Sequence, residues 1–133
     1  MSNDLFKKIL KLIEFSEIVK EGNNYFVDID LLTNKEIKEI KKITGKDLTG
    51  YKRTLDISGI KHSIKKHPNL SYSDFLLIPI IVKNYDFIGK GKKDDIIVYK
   101  KEIGNEYFYI EQIRKGRKKL VIKTFYKRKK RKK

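Results

Sequence analysis

Cysteine is absent from the chain. With none there is no disulfide, no thiolate nucleophile and no cysteine-based zinc site, so any chemistry must use other groups, and the absence fits a reducing, cytoplasmic setting. No apolar run is long enough to span a membrane. The most apolar early stretch, LFKKILKLIEF (5–15), is interrupted by lysine every two or three residues, which excludes both a signal-peptide core and a membrane span. A soluble protein with no membrane partner is expected. Acidic side chains are scarce, 17 against 33 basic ones. Histidine is scarcer still: His62 and His67, both within GIKHSIKKHPNL (59–70), are the only two.

At 133 residues with 39% apolar side chains, the chain can fill one core and is too short to fill two comfortably. One domain over residues 1–126 is expected, with a disordered basic tail, KRKKRKK, from Lys127 to Lys133. The tail holds seven of the positive charges, which leaves 26 minus 17, or +9, on the rest. Such a surface attracts polyanions at long range, and nucleic acid is the polyanion a soluble protein meets most often. An AT-rich genome would also write 28 lysines against five arginines, so charge alone does not identify the partner.

Periodicity predicts a first helix from Asn3 to Lys20, a strand at YFVDI (25–29), and a second helix opened by the capping-box spacing of Thr33 and Glu36 and closed by Gly45. LTGYKRTLDI (48–57) alternates weakly, as a strand would. Ser58 is the expected N-cap of a helix running to His67, where Pro68 disfavours helical geometry. A buried helix begins near Ser71 or Ser73, with Pro79 kinking or ending it. Beyond Gly89 and Gly91, three runs rich in β-branched and aromatic residues, DIIVYKKEI, EYFYIEQI and KLVIKTFY, are separated by turn signals and predict an antiparallel meander. The expected fold class is α+β, with N-terminal helices packed on one face of a C-terminal antiparallel sheet of three to four strands. Several of the aromatics on these strands would face outward as stacking platforms for RNA bases, and the rest would fill the core.

Residues five apart on a helix lie about 140° around the axis from each other, so His62 and His67 do not form a two-histidine zinc site on one turn. A helix that ends at His67 would let the second imidazole swing back toward a common cleft. Imidazole gives and takes protons near neutrality, and neighbouring lysines hold it neutral. A basic cleft with histidines suits RNA cleavage by the substrate's own 2′-hydroxyl, which needs a base, an acid and cations but no metal or other cofactor. Asp94 and Asp95, the nearest thing to a metal-binding pair, would point to opposite faces if extended. GKGKK (89–93) lacks the spacing of a nucleotide-binding loop and reads as a basic turn.

The block IKHSIKKHPNLSYSDFLLIPIIVKNYDFI, followed by three strands ending in LVIKTFYK, resembles the phage-associated barnase, EndoU, colicin E5/D and RelE-like (BECR) nuclease domains. The pattern is a histidine-bearing helix, an apolar "IP" helix with an N-Y-D turn after it, and a threonine on the last strand. The resemblance covers residues 50–127, leaves 1–49 as a helical region without a motif, and departs from the barnase type in having no obvious glutamate base. It implies a nuclease-like core with His62 and His67 as acid and base, in unassigned order, and Thr124 as a hydroxyl on the scissile phosphate. Tyr126, two residues on and facing the same way, is a further candidate for phosphate binding or proton transfer; sealing the sheet edge is its alternative role. Arg53 and Lys66 are candidates to stabilise developing negative charge, and Lys127 and Arg128 to hold substrate. The function expected is a small metal-independent endoribonuclease, toxin-like or phage-related, acting on RNA, transfer RNA included. A cognate inhibitor or immunity protein would be a partner, since a free ribonuclease kills its maker. The alternatives are a nucleic-acid-binding protein that does not cut and a phage packaging component.

Overall fold

Apolar residues recurring at three and four turn the first described segment into helix α1, Asn3–Ile18, which buries Ile9, Leu12 and Ile13. The computed structural model describes residues 3–19 and 25–129; Lys20, the expected end of α1, lies outside them. Strand β1, Phe26–Leu31, leads to α2, Asn34–Thr44. Thr33 Oγ1 accepts from Glu36 N at 3.2 Å to open α2, and Gly45 closes it at a left-handed φ of 77°. Strand β2, Lys52–Asp56, runs directly into α3, Ile57–Lys66. The cap of α3 is Asp56 rather than Ser58, because its Oδ1 accepts from Gly59 N at 2.8 Å as the strand ends. A 3-10 turn over Tyr72–Leu77 precedes the short α4, Ile78–Lys83. Pro79 stands in the first turn of α4 and starts it instead of ending it, since that position has no intrahelical partner to lose.

The chain then forms β3 (Phe87–Lys90), β4 (Ile96–Ile103), β5 (Asn105–Arg114) and β6 (Lys119–Arg128). The sheet has six strands in the order β1-β2-β6-β5-β4-β3, where three or four antiparallel strands were expected. It is mixed, because β2 pairs parallel with β6 while the other neighbours are antiparallel. Two causes account for the difference. The weak N-terminal strands pair with each other and join the rest of the sheet only where β2 meets β6, far along the chain, and β3 is a four-residue edge strand containing Gly89, too short to show a period. Strand β6 also extends through Lys127 and Arg128, two residues expected to begin the tail; pairing with Tyr107 and Glu106 of β5 orders them.

All helices pack on one face of the sheet. On that face Ile97, Tyr99, Tyr107, Tyr109, Leu120, Ile122 and Phe125 are buried with Phe75, Ile78 and Ile60. The opposite face, carrying Val98, Lys100, Phe108, Ile110, Thr124 and Tyr126, is only half covered. A bulge keeps these assignments in phase. Ile110 pairs with Thr124 but Glu111 pairs with Ile122, so Lys123 is an extra, exposed residue, and core positions shift from Leu120 and Ile122 to Phe125.

One charged side chain sits wholly inside. Arg53 of β2 has no exposed surface and donates from Nε and Nη2 to the two carboxylate oxygens of Glu111 at 3.1 and 3.2 Å, and from Nη1 to Glu36 at 2.9 Å. Its Nη2 also donates to the Tyr99 hydroxyl, which donates to Glu111 at 2.6 Å. Lys83 joins from α4, bonded to Asp30 at 2.8 Å and to Glu36. Burial opposes the charge on Arg53, but Glu111 and then Tyr99 and Glu36 outweigh it and hold the pKa above its ordinary value. Burial likewise opposes ionisation of Glu36, and Arg53 with Lys83 overcomes it, so this carboxyl titrates below its usual range. Arg53 is therefore a core ion-pair centre and not the phosphate ligand expected of it.

Removing the guanidinium strands the buried Glu111 carboxylate and leaves Glu36 with Lys83 as its remaining cation. Arg53→Ala is expected to lower the unfolding free energy by about 3–5 kcal/mol, measured by urea denaturation, while the exposed Lys66→Ala changes it by less than about 0.5 kcal/mol. Because the folded-state pKa of Glu36 is depressed, its contribution is present above its unfolded pKa and is lost as pH falls through the folded value. The urea midpoint should therefore drop on acidification below about pH 4.5, and less so in Glu36→Gln.

Candidate active site

Strand β2 accompanies β6 for three residue pairs only, Lys52 with Lys119 to Thr54 with Val121. Beyond Val121 the outer edge of β6 would present unpaired backbone groups, and α3 covers it. Gly59 permits the close approach: a Cβ there would stand 2.5 Å from Ile122 Cγ2 and 3.0 Å from the Ile122 carbonyl oxygen. One turn later the buried Ser63 accepts from Phe125 N at 2.9 Å and donates to Gly59 O at 2.8 Å. After the helix, Asn69 Nδ2 donates to Lys127 O at 3.0 Å. Helix and following loop are thus stitched along the strand, satisfying groups that an exposed edge would leave to water or to another chain.

This stitching delivers His67. Its N–H still bonds to Ser63 O at 2.9 Å, but φ −126° and ψ 84° take it out of helical geometry ahead of Pro68. The imidazole stacks on Tyr126 of β6, ring centroids 4.9 Å apart and planes 23° from parallel. Tyr126 in turn stacks on Phe108 of β5, at 4.8 Å and 11°. Arg128 lies over the Phe108 ring with Cζ 4.8 Å from its centroid, and Lys100 Nζ is 5.7 Å from it. The result is a row across the open face of the sheet, imidazole to tyrosine to phenylalanine to guanidinium. With a ring against each of its faces, Tyr126 has no free π-surface for a base. The expected stacking platforms are otherwise in the core, where Tyr99, Tyr107, Tyr109 and Phe125 are buried.

Partial burial lowers the His67 pKa from its ordinary 6.5, and the charges of Lys66 and His62 lower it further. A neutral imidazole at neutral pH is the consequence, with a nitrogen lone pair able to take a proton. His62 is exposed on α3, and its charge is among those that lower the His67 pKa. Thr124 is two residues from Tyr126 on the same face, opposite Ile110. Its Oγ1 is buried and has no hydrogen-bond partner among the described residues.

The structure thus puts His67 against Tyr126 and, through Phe108, Arg128 in the same row, with the charges of Lys66 and His62 acting on His67 and Thr124 on the same strand face. Lys127 points to the other side of β6, where its Nζ bonds to Asp74 Oδ2 at 2.9 Å beside the Tyr107 hydroxyl. Arg128 also pairs with Glu106, at 2.7 Å. Ser63 and Asn69 carry no sequence signal of their own, whereas Phe108 is one of the six aromatics of the last three strands expected to face either outward or into the core. Alternation along EYFYI shows that Phe108 faces away from Tyr107 and Tyr109, but not which face is buried. Asp94 pairs with Lys90 and Asp95 accepts from Gln112, each at 3.1 Å. Among the described residues no group of three or more histidine or carboxylate side chains is arranged to hold a metal ion.

Burial leads the causes that depress the His67 pKa, and Tyr126 is the ring stacked on the imidazole, so Tyr126→Ala should move its NMR-monitored titration back toward 6.5, whereas Tyr126→Phe should leave it in place.

The family described as phage-Barnase-EndoU-ColicinE5/D-RelE like nuclease3 matches residues 30–133, a span that adds α2 and the end of β1 to the stretch carrying the resemblance. No curated protein and no solved structure matches the chain.

Proposed function

The chain belongs to the phage-Barnase-EndoU-ColicinE5/D-RelE like nuclease3 family, and from that premise we propose that it is an endoribonuclease cleaving RNA by transesterification without a metal. Nucleic acid is the substrate the family implies; the choice of RNA rests on the side chains. The observation that carries the reading is His67, a half-buried imidazole with a depressed pKa, stacked on Tyr126 and flanked by Lys66 and His62.

In this reading His67 takes the proton from the 2′-hydroxyl, and the oxygen attacks the adjacent phosphorus. The bond from phosphorus to the 5′-oxygen breaks, and His62, exposed on α3, supplies a proton to the leaving oxygen. The products are a 2′,3′-cyclic phosphate and a 5′-hydroxyl. Lys66 and Arg128 offset the charge that develops on the phosphorane, and the unpartnered Thr124 hydroxyl is available to a phosphate oxygen if the site opens to admit it. Tyr126 acts mainly by fixing the His67 ring, and its hydroxyl remains available to the phosphate. Transfer RNA is one candidate substrate, and a toxin-like or phage-related role with an immunity or inhibitor partner follows from the harm an unrestrained ribonuclease does to its maker.

The net charge of +16 also supports a protein that grips nucleic acid without cutting it, and one experiment separates the two. The purified chain is incubated with total and transfer RNA in excess chelator, and fragment ends are analysed. Cleavage with cyclic phosphate ends is expected, reduced about 10²–10⁴-fold in His67→Ala. The acid limb of kcat/KM should fall below about pH 6.5, following the lowered pKa of the free enzyme's base. RNA left intact on every substrate, with salt-sensitive binding unchanged by the substitution, would establish the binder instead.

A further inference from the structure

At the opposite end of α3 from His67, a second pocket opens between β1, β2, the N-terminus of α3 and the β5–β6 turn, lined by Asp56, Ser58, Arg114, Arg117, Lys119 and Val121 among others. Its charge is unequal, three cations to one carboxylate. Asp56 is engaged: its Oδ1 caps α3, burial raises its pKa, and Arg114 acts against that rise. Lys119 is engaged too, 3.4 Å from Asp28 and with Nζ 3.9 Å from the centroid of Phe26. The two arginines are held by no such bond, although the charge of Arg114 acts on Asp56. Among the described residues, neither guanidinium makes a side-chain hydrogen bond or an ion pair, although both border one pocket. Two planar forks of N–H donors side by side match the oxygens of a phosphodiester better than any neutral ligand.

The turn bearing them is held in place. Lys118 adopts a left-handed φ of 51°, its N–H bonds to Lys115 O at 3.2 Å, and its carbonyl accepts from Lys52 N at 3.2 Å, which ties the turn to β2. Val121 lies on the open face of β6, and the bulge at Lys123 keeps Thr124 and Tyr126 on that same face. The arginine pocket and the His67–Tyr126 stack therefore mark the two ends of one track along α3 and β6. Ten helical residues separate them, an axial length of about 15 Å, which exceeds the span of one phosphodiester linkage.

We infer that this pocket is a backbone-phosphate subsite for the same RNA strand whose scissile bond sits at His67, with Arg114 and Arg117 holding a phosphate a few nucleotides away. The substrate class is an unpaired strand long enough to reach both ends, because in-line attack by a 2′-hydroxyl needs a backbone that A-form pairing restrains. The inference rests on the nuclease reading for its geometry, but its test does not require cleavage.

The test uses the full chain and fluorescent single-stranded oligonucleotides with 2′-deoxy sugars, which cannot undergo transesterification: a dinucleotide and a strand of about twelve nucleotides, within the range that single-strand-binding sites cover. The Arg114→Gln/Arg117→Gln variant is expected to bind the long strand about tenfold more weakly than the parent chain and the dinucleotide equally well. The slope of log affinity against log salt on the long strand should become shallower by about 0.7 for each phosphate no longer neutralised. A Lys92→Gln/Lys93→Gln variant, which removes the same charge from an exposed turn, should retain most of the affinity. Equal weakening on both lengths, an unchanged slope, or an equal weakening in the lysine variant would overturn the subsite. Failure of the nuclease reading appears separately, as RNA left uncut by a chain that still shows the arginine-dependent length effect.

Discussion

A guanidinium sealed from water must find its acceptors inside the protein, and the acceptors of Arg53 come from nearly every part of the fold. Glu111 is on β5, Glu36 on α2, Asp30 on β1 and Tyr99 on β4. Taking such charges out of water costs several kcal/mol per ion before any compensation, so the arrangement persists only with all partners present. Its position explains why the N-terminal segment joins the sheet instead of packing loosely beside it. Arg53 reaches across β6 to a strand two places away, and in doing so fixes β2 against β6 and α2 over the far strands.

The end of β2 then determines the site. Because β2 stays with β6 for three pairs, the rest of that edge has to be satisfied by something else, and α3 does so through Ser63 and, just beyond the helix, Asn69. A helix held that closely by Gly59 ends at a defined height on the strand, and Pro68 releases His67 there, against Tyr126. The imidazole is oriented by what the strand needed in order to be covered. The same constraint puts the two ends of α3 at two places along the open face, one with histidines and one with arginines.

Charge is sorted between the faces by the same logic. Asp30, Glu36, Glu111 and Asp74 lie on the helix-covered side, each paired with arginine, lysine or tyrosine. The carboxylates are largely consumed in holding the fold, and the cations in excess remain at the surface. A chain with +16 net charge thereby gains a polyanion-binding exterior without placing unpaired charge in its core.

Much of this was legible in the residues themselves. Local signals determine the helices, the cap by Thr33 and the stop at Gly45, and the last three strands, because a period of 3.6 or 2 and a turn residue act over a few neighbours. His67 and Tyr126 could be named as candidates because imidazole chemistry and strand alternation are also local properties. Sequence could not show that Arg53 is buried, since a lone arginine in a weak strand declares nothing about carboxylates 17 and 58 residues away. It could not show β3, the parallel pairing of β2 with β6, or the bulge at Lys123, each of which depends on the partner strand. Nor could it reveal that Lys127 turns to Asp74 while Arg128 turns to Phe108. The alphabet of the site is written locally; which letters meet is decided by long-range pairing, where the free energy of burial and of ion pairing is gained only once distant segments are already together.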